Sequence, residues 1–426
     1  MSRLLLSGAR VVDPEQEVIT EQDLLIVGNK IEKIADNISS DGVKKIDLSD
    51  KLILPGLIDL HVHLREPGFK HKETIATGTE AAAKGGFTSV VCMPNTNPVL
   101  DNEPLIESVV KRGEEQGVVN VFPVGAITKG SEGEELAEIG SMSEAGIVAI
   151  SDDGNPVMNS EMMRLALQYA SDFDLPVISH CEDENLAGTG VVHEGYYSTI
   201  TGLDPIPASA EETMVARDIC LAQETDSHVH IAHISTKGAV QLVREAKAKG
   251  VPVTCEVTPH HFSLTDRAIT SFNTATKVNP PLRSKEDVAA IKEGLKDGTI
   301  DVIATDHAPH AGSEKDVEYD YAPFGISGLE TALGLVITEL INPGILSWSA
   351  AVSKLTSNPA DLLGLEGGRL EEGAIADLIV IDPEQNWEVV PEEFASKGKN
   401  TPFAGVELTG QNLLTIVDGE VVYNAR

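Results

Sequence analysis

Residues 56–63 read GLIDLHVH, an apolar run broken by one Asp and closed by two His placed two positions apart. Such a run is a buried β-strand whose last side chains leave the apolar layer. The texture returns as FTSVVCMP (87–94), VVNVFPVG (118–125), GIVAISDD (146–153), LPVISH (175–180), HVHIAH (228–233), VPVTCEV (251–257) and DVIATDH (301–307). Each run precedes a segment rich in Ala, Glu, Lys and Leu at helical spacing, and the fourth run is the weakest. Eight strand-then-helix units fit an α/β fold of the closed parallel (β/α)8 TIM barrel type better than an open doubly wound sheet, for which six strands are usual. The active site of such a barrel lies at the carboxyl ends of its strands.

Outside this region the pattern changes. LLLSGARVVD (4–13) and DLLIVGNKIEKIA (23–35) alternate short β runs with turns, and Gly28 and Asn29 suit a two-residue hairpin. ADLIVID (376–382) and LLTIVDGEVVY (413–423) repeat that style, the latter turning at Asp418 and Gly419. Neither end carries many strands, and the termini of a domain often lie close together. Residues 1–52 and 365–426 are therefore expected to form one small β-sandwich domain beside a barrel of residues 53–364.

The 426 residues are 41% hydrophobic and 23% charged, enough for a substantial core. Asp and Glu number 67 against 32 Lys and Arg, a net charge of −35. That field repels the phosphates of nucleic acid and anionic membranes, which disfavours both as partners. The acids are spread along the chain, as on a solvated surface. No stretch is long enough to cross a bilayer or to act as a secretory leader. The four cysteines, Cys92, Cys181, Cys220 and Cys255, form no CxxC pair, so a reducing, cytoplasmic setting is expected. Cys92 and Cys181, near strand ends, read as buried free thiols.

His61 and His63 end the first barrel strand, and residues two apart on a strand project to one side. One such pair among twelve histidines decides little. His180 ends the fifth strand, however, His233 the sixth, and Asp306 lies at the end of the eighth. Four separate strands thus bring nitrogen or oxygen donors to one rim. In HVHIAH, alternation groups Val229, Ile231 and His233 on one face and leaves His228 and His230 as structural. In DVIATDH it groups Val302, Ala304 and Asp306, with His307 behind them, packing or orienting a neighbour. Two ions need a shared carboxylate, and Asp153, beside the Gly154 turn, is the expected bridge; Asp152 reads as a turn or cap residue. Mixed imidazole and carboxylate donors suit zinc, with manganese or cobalt compatible by ligand type.

With PGLIDLHVHLREPG (55–68), MPNT (93–96), SDDG (151–154), ISHCED (178–183), IAHIST (231–236), ATDHAPH (304–310) and PFGISGLETAL (323–333), the whole chain resembles the amidohydrolase superfamily. Within it, the chain resembles the bacterial-type dihydroorotases with a flanking sandwich domain. The resemblance implies two zinc ions per subunit: one on His61 and His63 with Asp306, the other on His180 and His233, and Asp153 between them. Relatives often bridge with a carboxylated lysine. No lysine occurs between Lys129 and Arg164, so the chain looks like the aspartate-bridged subgroup, which argues against a hydantoinase or allantoinase; a dihydropyrimidinase or allantoinase is the second enzymatic reading.

The implied reaction is the reversible cyclisation of N-carbamoyl-L-aspartate to (S)-dihydroorotate plus water, a step of pyrimidine (UMP) biosynthesis. In it two cations make a water nucleophilic and Asp306 acts as general acid and base. The resemblance places Arg65, Asn95 and His310 around the substrate carboxylate. Arg65 could instead pair with Glu66, and Asn95 could serve only the PNTNP turn. Asn279 and the backbone at Phe324 and Gly325 are expected to meet the amide edge of the ring. Residues 310–322 are polar and acidic, either a lid or a disordered stretch. His260 and His261 are expected to be structural. A homodimer and association with aspartate carbamoyltransferase are further implications of the resemblance. A catalytically dead scaffold is the contrasting reading, against which retention of every metal position argues.

Overall fold

Eight parallel segments follow one another around a ring in chain order. In the computed structural model, which describes residues 2–14, 18–40 and 42–426, Leu57–Val62 pairs with Phe87–Cys92 and that strand with Asn120–Pro123. On the other side, Val177–Ser179, Val229–Ile231, Val253–Val257 and Val302–Ile303 pair in succession. One residue joins the halves at the fourth position, where Ile150 bridges to Gly125 and to Val177. The ring closes where Val62 meets His307.

The interior identifies itself by where its members come from. Leu60, Val91, Met93, Val124, Ala149, Ile178, Ala232, Val302 and Ala304 form one buried cluster, drawn from every strand position but the seventh. Residues from opposite strands can meet only inside the ring, and eight strands leave room for little more than their own side chains. The seventh strand contributes Glu256 instead, a carboxylate with no exposure at all. Helices cover the outside. Lys237–Ala248 is typical: Thr236 caps it by accepting the Ala239 N–H, and Ala239, Val240, Val243 and Ala246 are its buried face.

Both ends of the chain supply a single eight-stranded sheet. Arg3–Asp13 pairs antiparallel with Val18–Val27 and parallel with Lys44–Asp47 and Leu52–Pro55. Leu52–Pro55 then pairs with Leu378–Glu388, which continues to Glu407–Val417 and Glu420–Asn424. The expected turns at Gly28-Asn29 and Asp418-Gly419 are present, and they touch: Asn29 Nδ2 donates to Asp418 Oδ1 at 2.8 Å. A Cβ on Gly419 would stand 2.3 Å from the Gly28 carbonyl oxygen, so that position is closed to side chains. Asn412 ties the sheet to the barrel by donating to the carbonyls of Ala83 and Lys84 at 3.1 and 3.2 Å, where the first barrel helix (Ile75–Gly85) ends. No helix among the described residues is long and apolar enough to cross a membrane.

At the start of the sixth strand, His228 Nε2 lies 2.9 Å from Thr254 Oγ1. Burial, with His230 close by, pushes its pKa down to about 4. An unfolded histidine titrates near 6.5, so between these values the unfolded chain holds the extra proton and acid weakens the fold, by up to about 1.4 kcal/mol per pH unit for this group. His228→Gln retains a partner for Thr254 and removes the titration. Its urea midpoint should therefore drop less between pH 7 and pH 5 than that of the wild type, and an equal or larger drop contradicts this account.

Candidate metal centre and active site

The backbone at the carboxyl rim is irregular where the donors stand. Register between the first two barrel strands shifts between Asp59 and Val62, which lets Leu60 join the interior cluster while His61 and His63 both still turn inward. Asp59 ties this strand to the eighth: it accepts from the Thr305 hydroxyl at 2.5 Å and from the His61 N–H at 3.1 Å. Burial raises its pKa to about 6. Arg65, His233 and Asp306 have φ of 61°, 31° and 48°, conformations that cost a residue with a Cβ about 1–3 kcal/mol and cluster at functional sites.

The alternation expected in HVHIAH does not hold. Val229 and Ile231 pack in the outer cluster and Ala232 in the inner one, while His230 points inward to Glu256. His233 enters the site because the strand ends at Ile231 and the chain then turns through the positive φ of His233. In the eighth strand the expected parity is kept, with Val302 and Ala304 inside.

Asp153 stands at the centre of the donors. Its Oδ1 is 3.3 Å from His61 Nε2, 3.6 Å from His180 Nδ1 and 3.7 Å from His233 Nε2; its Oδ2 is 3.6 Å from His63 Nε2. Asp306 Oδ1 lies 3.0 Å from His63 Nε2 and 3.7 Å from His61 Nε2. His180 Nδ1 and His233 Nε2 are 2.9 Å apart. Two donors on a tetrahedral zinc, with bonds of about 2.0–2.2 Å, stand about 3.4 Å from each other; the separations of 3.3–3.7 Å match that spacing, while those of 2.9 and 3.0 Å are hydrogen bonds. The donor atoms of His61, Asp153 and His233 form one mutually close group and those of His61, His63 and Asp306 another. His61 Nε2 is buried with no hydrogen-bond partner among the described residues, as a metal-binding nitrogen would be. Asp152 lies to the side, its Oδ1 accepting the N–H groups of Ile127 and Thr128 at 2.8 and 3.1 Å.

The charges reinforce one another. Burial alone would raise the pKa of Asp153, yet His61, His180 and His233 hold it well below the ordinary carboxylate value. Burial likewise opposes ionisation of Asp306, and His63 and His61 outweigh it. His61 is driven the other way: burial disfavours its charge, but Glu256 and Asp153 raise its pKa well above the usual value. Ionised carboxylates beside His61 and His180, whose pKa values are raised, form a site in which a divalent cation would replace protons.

Glu256 is the residue that the sequence analysis passed over. Its signal was a carboxylate next to last in the otherwise mostly apolar run VPVTCEV. Of the remaining histidines, His307 Nδ1 accepts the Gly328 N–H at 3.2 Å and its Nε2 lies 3.5 Å from Glu73. His261 bonds Thr258 and the Pro280 carbonyl at 2.7 and 3.0 Å. His260 is buried, with its Nε2 unpartnered among the described residues.

A cavity of about 240 Å³ opens onto the donors, and Arg65, Asn95, Asn279, His310, Phe324 and Gly325 all line it. Glu66 does not occupy Arg65; it pairs with Lys70 and Arg112 at 2.7 and 2.8 Å. Arg65 Nε donates to the Pro309 carbonyl at 3.3 Å. Asn95 is engaged by the centre itself, its Oδ1 2.9 Å from His63 Nδ1 and its Nδ2 donating to Asp153 Oδ2 at 3.2 Å. Asn279 presents a buried Oδ1 with no partner among the described residues. Gly325 has φ 125°, and a Cβ there would meet that of Ala308 at 2.6 Å. His310 donates from Nε2 to the Phe324 carbonyl at 2.8 Å; burial and the cations Arg65, Lys315 and Lys72 push its pKa down to about 3.

Residues 310–322 are packed against the loop before Asn279. Lys315 Nζ donates to the carbonyls of Thr274 and Pro323 at 3.1 and 2.6 Å, and Lys277 Nζ to those of Tyr319 and Asp320 at 3.0 and 2.9 Å. Burial, with Lys277 and Arg65 nearby, brings the Lys315 pKa down to about 7.

A closed barrel with histidine and aspartate donors at its carboxyl rim is the architecture of a metal-dependent amidohydrolase. Two family models match the chain, one described as dihydro-orotase-like over residues 50–239 and one as amidohydrolase family over residues 222–423. A dihydroorotase of Pelotomaculum thermopropionicum is 61% identical, the alignment covering 100% of this chain and 99% of the relative. One of Syntrophus aciditrophicus is 52% identical, with 99% of each covered. Among solved structures, an L-hydantoinase (dihydropyrimidinase) from Arthrobacter aurescens superposes with a TM-score of 0.90 at 26% identity, over 100% of this chain and 96% of that one. The chain belongs to the dihydroorotase family of the amidohydrolases.

Asn400 pins the site loop from a distant part of the chain. It accepts the His310 N–H at 3.0 Å and donates to the Gly325 and Ala308 carbonyls at 3.0 and 3.3 Å. Asn400→Ala leaves these groups without their partner at about 1–3 kcal/mol of local stability. Limited proteolysis should then cut within residues 310–325 faster than in the wild type; an unchanged rate contradicts the pinning role.

Proposed function

We propose that this chain interconverts N-carbamoyl-L-aspartate and (S)-dihydroorotate in pyrimidine biosynthesis, using two zinc ions per subunit. His61, His63 and Asp306 would hold one ion, His180 and His233 the other, and Asp153 both. The observation that carries this reading is the ring of donors at coordination spacing around Asp153, opening onto a cavity that Arg65 lines. When bound, zinc supplies the positive charge that makes a water acidic at neutral pH and polarises the amide carbonyl.

The chain's own groups do the rest. Asp306, held ionised, takes a proton from the attacking water and delivers it to the ring nitrogen that leaves; in synthesis the transfers reverse. Arg65 offers its guanidinium to the substrate carboxylate, where a planar fork binds two oxygens at once. His310 keeps its Nε2 proton on Phe324 and orders the loop that closes this side of the cavity. Asn279 Oδ1 is a vacant acceptor suited to a ring N–H. Asn95 orients His63 and Asp153 through its two hydrogen bonds and faces the substrate carboxylate from the cavity wall.

The division into a sheet domain of residues 1–52 and 365–426 and a barrel of residues 53–364 is part of this reading, with Leu52–Pro55 as the crossing point. So is a cytoplasmic location, which the four free cysteines support. A homodimer and association with aspartate carbamoyltransferase are proposed on family grounds alone.

Purified protein should turn over carbamoyl aspartate in preference to hydantoin and allantoin; turnover of only the latter two contradicts the assignment. Asp306→Ala should lower kcat by about 10²–10⁴-fold, whereas Arg65→Met should chiefly raise KM, by roughly 10–100-fold for a lost charged hydrogen bond. Unchanged steady-state constants in either variant contradict its role.

A further inference from the structure

We infer that Glu256 is a positioning residue that couples the two halves of the metal centre, one carboxylate oxygen fixing both the ring of His61 and the backbone of His233. The inference rests on the zinc reading above. Glu256 is the penultimate residue of the seventh barrel strand and is fully buried. Its Oε1 lies 2.6 Å from His61 Nδ1 and accepts the backbone N–H of His233 at 3.2 Å. Its Oε2 is 3.3 Å from His230 Nε2, and His230 Nδ1 is 2.8 Å from Thr254 Oγ1, so the carboxylate is braced from behind.

A carboxylate has no proton to give, so the proton of this bond sits on His61 Nδ1. The lone pair is thereby left on Nε2, the atom 3.3 Å from Asp153. The second contact acts on the other half. His233 reaches the centre only through its positive φ of 31°, and its N–H is anchored in that conformation by the same Oε1. A single atom therefore sets the orientation of a donor in each proposed zinc set. Packing alone does not explain an acid here, since an apolar residue of similar volume would fill the interior, as Leu60 and Ile178 do elsewhere in the ring.

The test titrates metal-free protein with zinc against a chromophoric chelator, which reads affinity and stoichiometry without any turnover. Glu256→Leu, checked for folding by circular dichroism, should bind both zinc equivalents roughly 10–100-fold more weakly. Glu256→Gln should stay close to the wild type, because the amide oxygen can accept the same two N–H groups. Wild-type affinity in the leucine variant, or loss at one site only, overturns the coupling; equal losses in the two variants overturn it in favour of a pure charge effect. If the leucine variant does not fold, Glu256→Asp, whose shorter reach breaks the same contacts, is read by the same criteria. Wild-type protein that takes up no zinc overturns the zinc reading and this inference with it.

Discussion

A carboxylate withdrawn from water must be surrounded by groups that welcome its charge, and Asp153 meets that demand with imidazoles. His61, His63, His180 and His233 reach it from three other strand ends, each within 3.7 Å of one of its oxygens. The rim of the barrel is thus organised around one acid. The positive φ of His233 and Asp306 is the conformational cost of bringing one side chain to Asp153 and the other to His63 and His61.

The same logic extends outward in layers. Glu256 and Asn95 hold the imidazoles, Asp59 ties the first strand to the eighth, and Asn400 reaches in from beyond the barrel to hold the loop at His310. The protein carries a net charge of −35, yet Arg65 lines the cavity, and Lys72 and Lys315 hold the adjoining loop at His310 Nδ1 and the Pro323 carbonyl. Arg65 is the one cation that lines the cavity among the described residues, and a guanidinium there supplies local attraction for an anionic group against the acidic field of the chain.

The strands were legible because each is a short, mostly apolar run followed by a segment at helical spacing, and the barrel followed from their number and rhythm. Even the weakness of the fourth run was visible, matching a position held by Ile150 alone. The donors were legible as residue types at strand ends. Their local geometry was not: alternation misassigned HVHIAH because a strand that stops at Ile231 and turns through a positive φ no longer obeys period two. The register shift near Leu60 was hidden for a related reason, since every residue of Leu57–Val62 is buried and no exposed position marks a face. Glu256 left a trace, an acid inside a mostly apolar run, whereas the holds of Lys277 and Lys315 on residues 310–323 join segments whose meeting only the folded barrel arranges.

The most direct test of the metal centre is anomalous diffraction at the zinc edge from crystals of protein purified without chelators. Two peaks per chain should flank Asp153 at a separation of about 3.5–4 Å, one beside His61 and His63 and the other beside His180 and His233. Peaks elsewhere, or none within bonding distance of Asp153, would contradict the account.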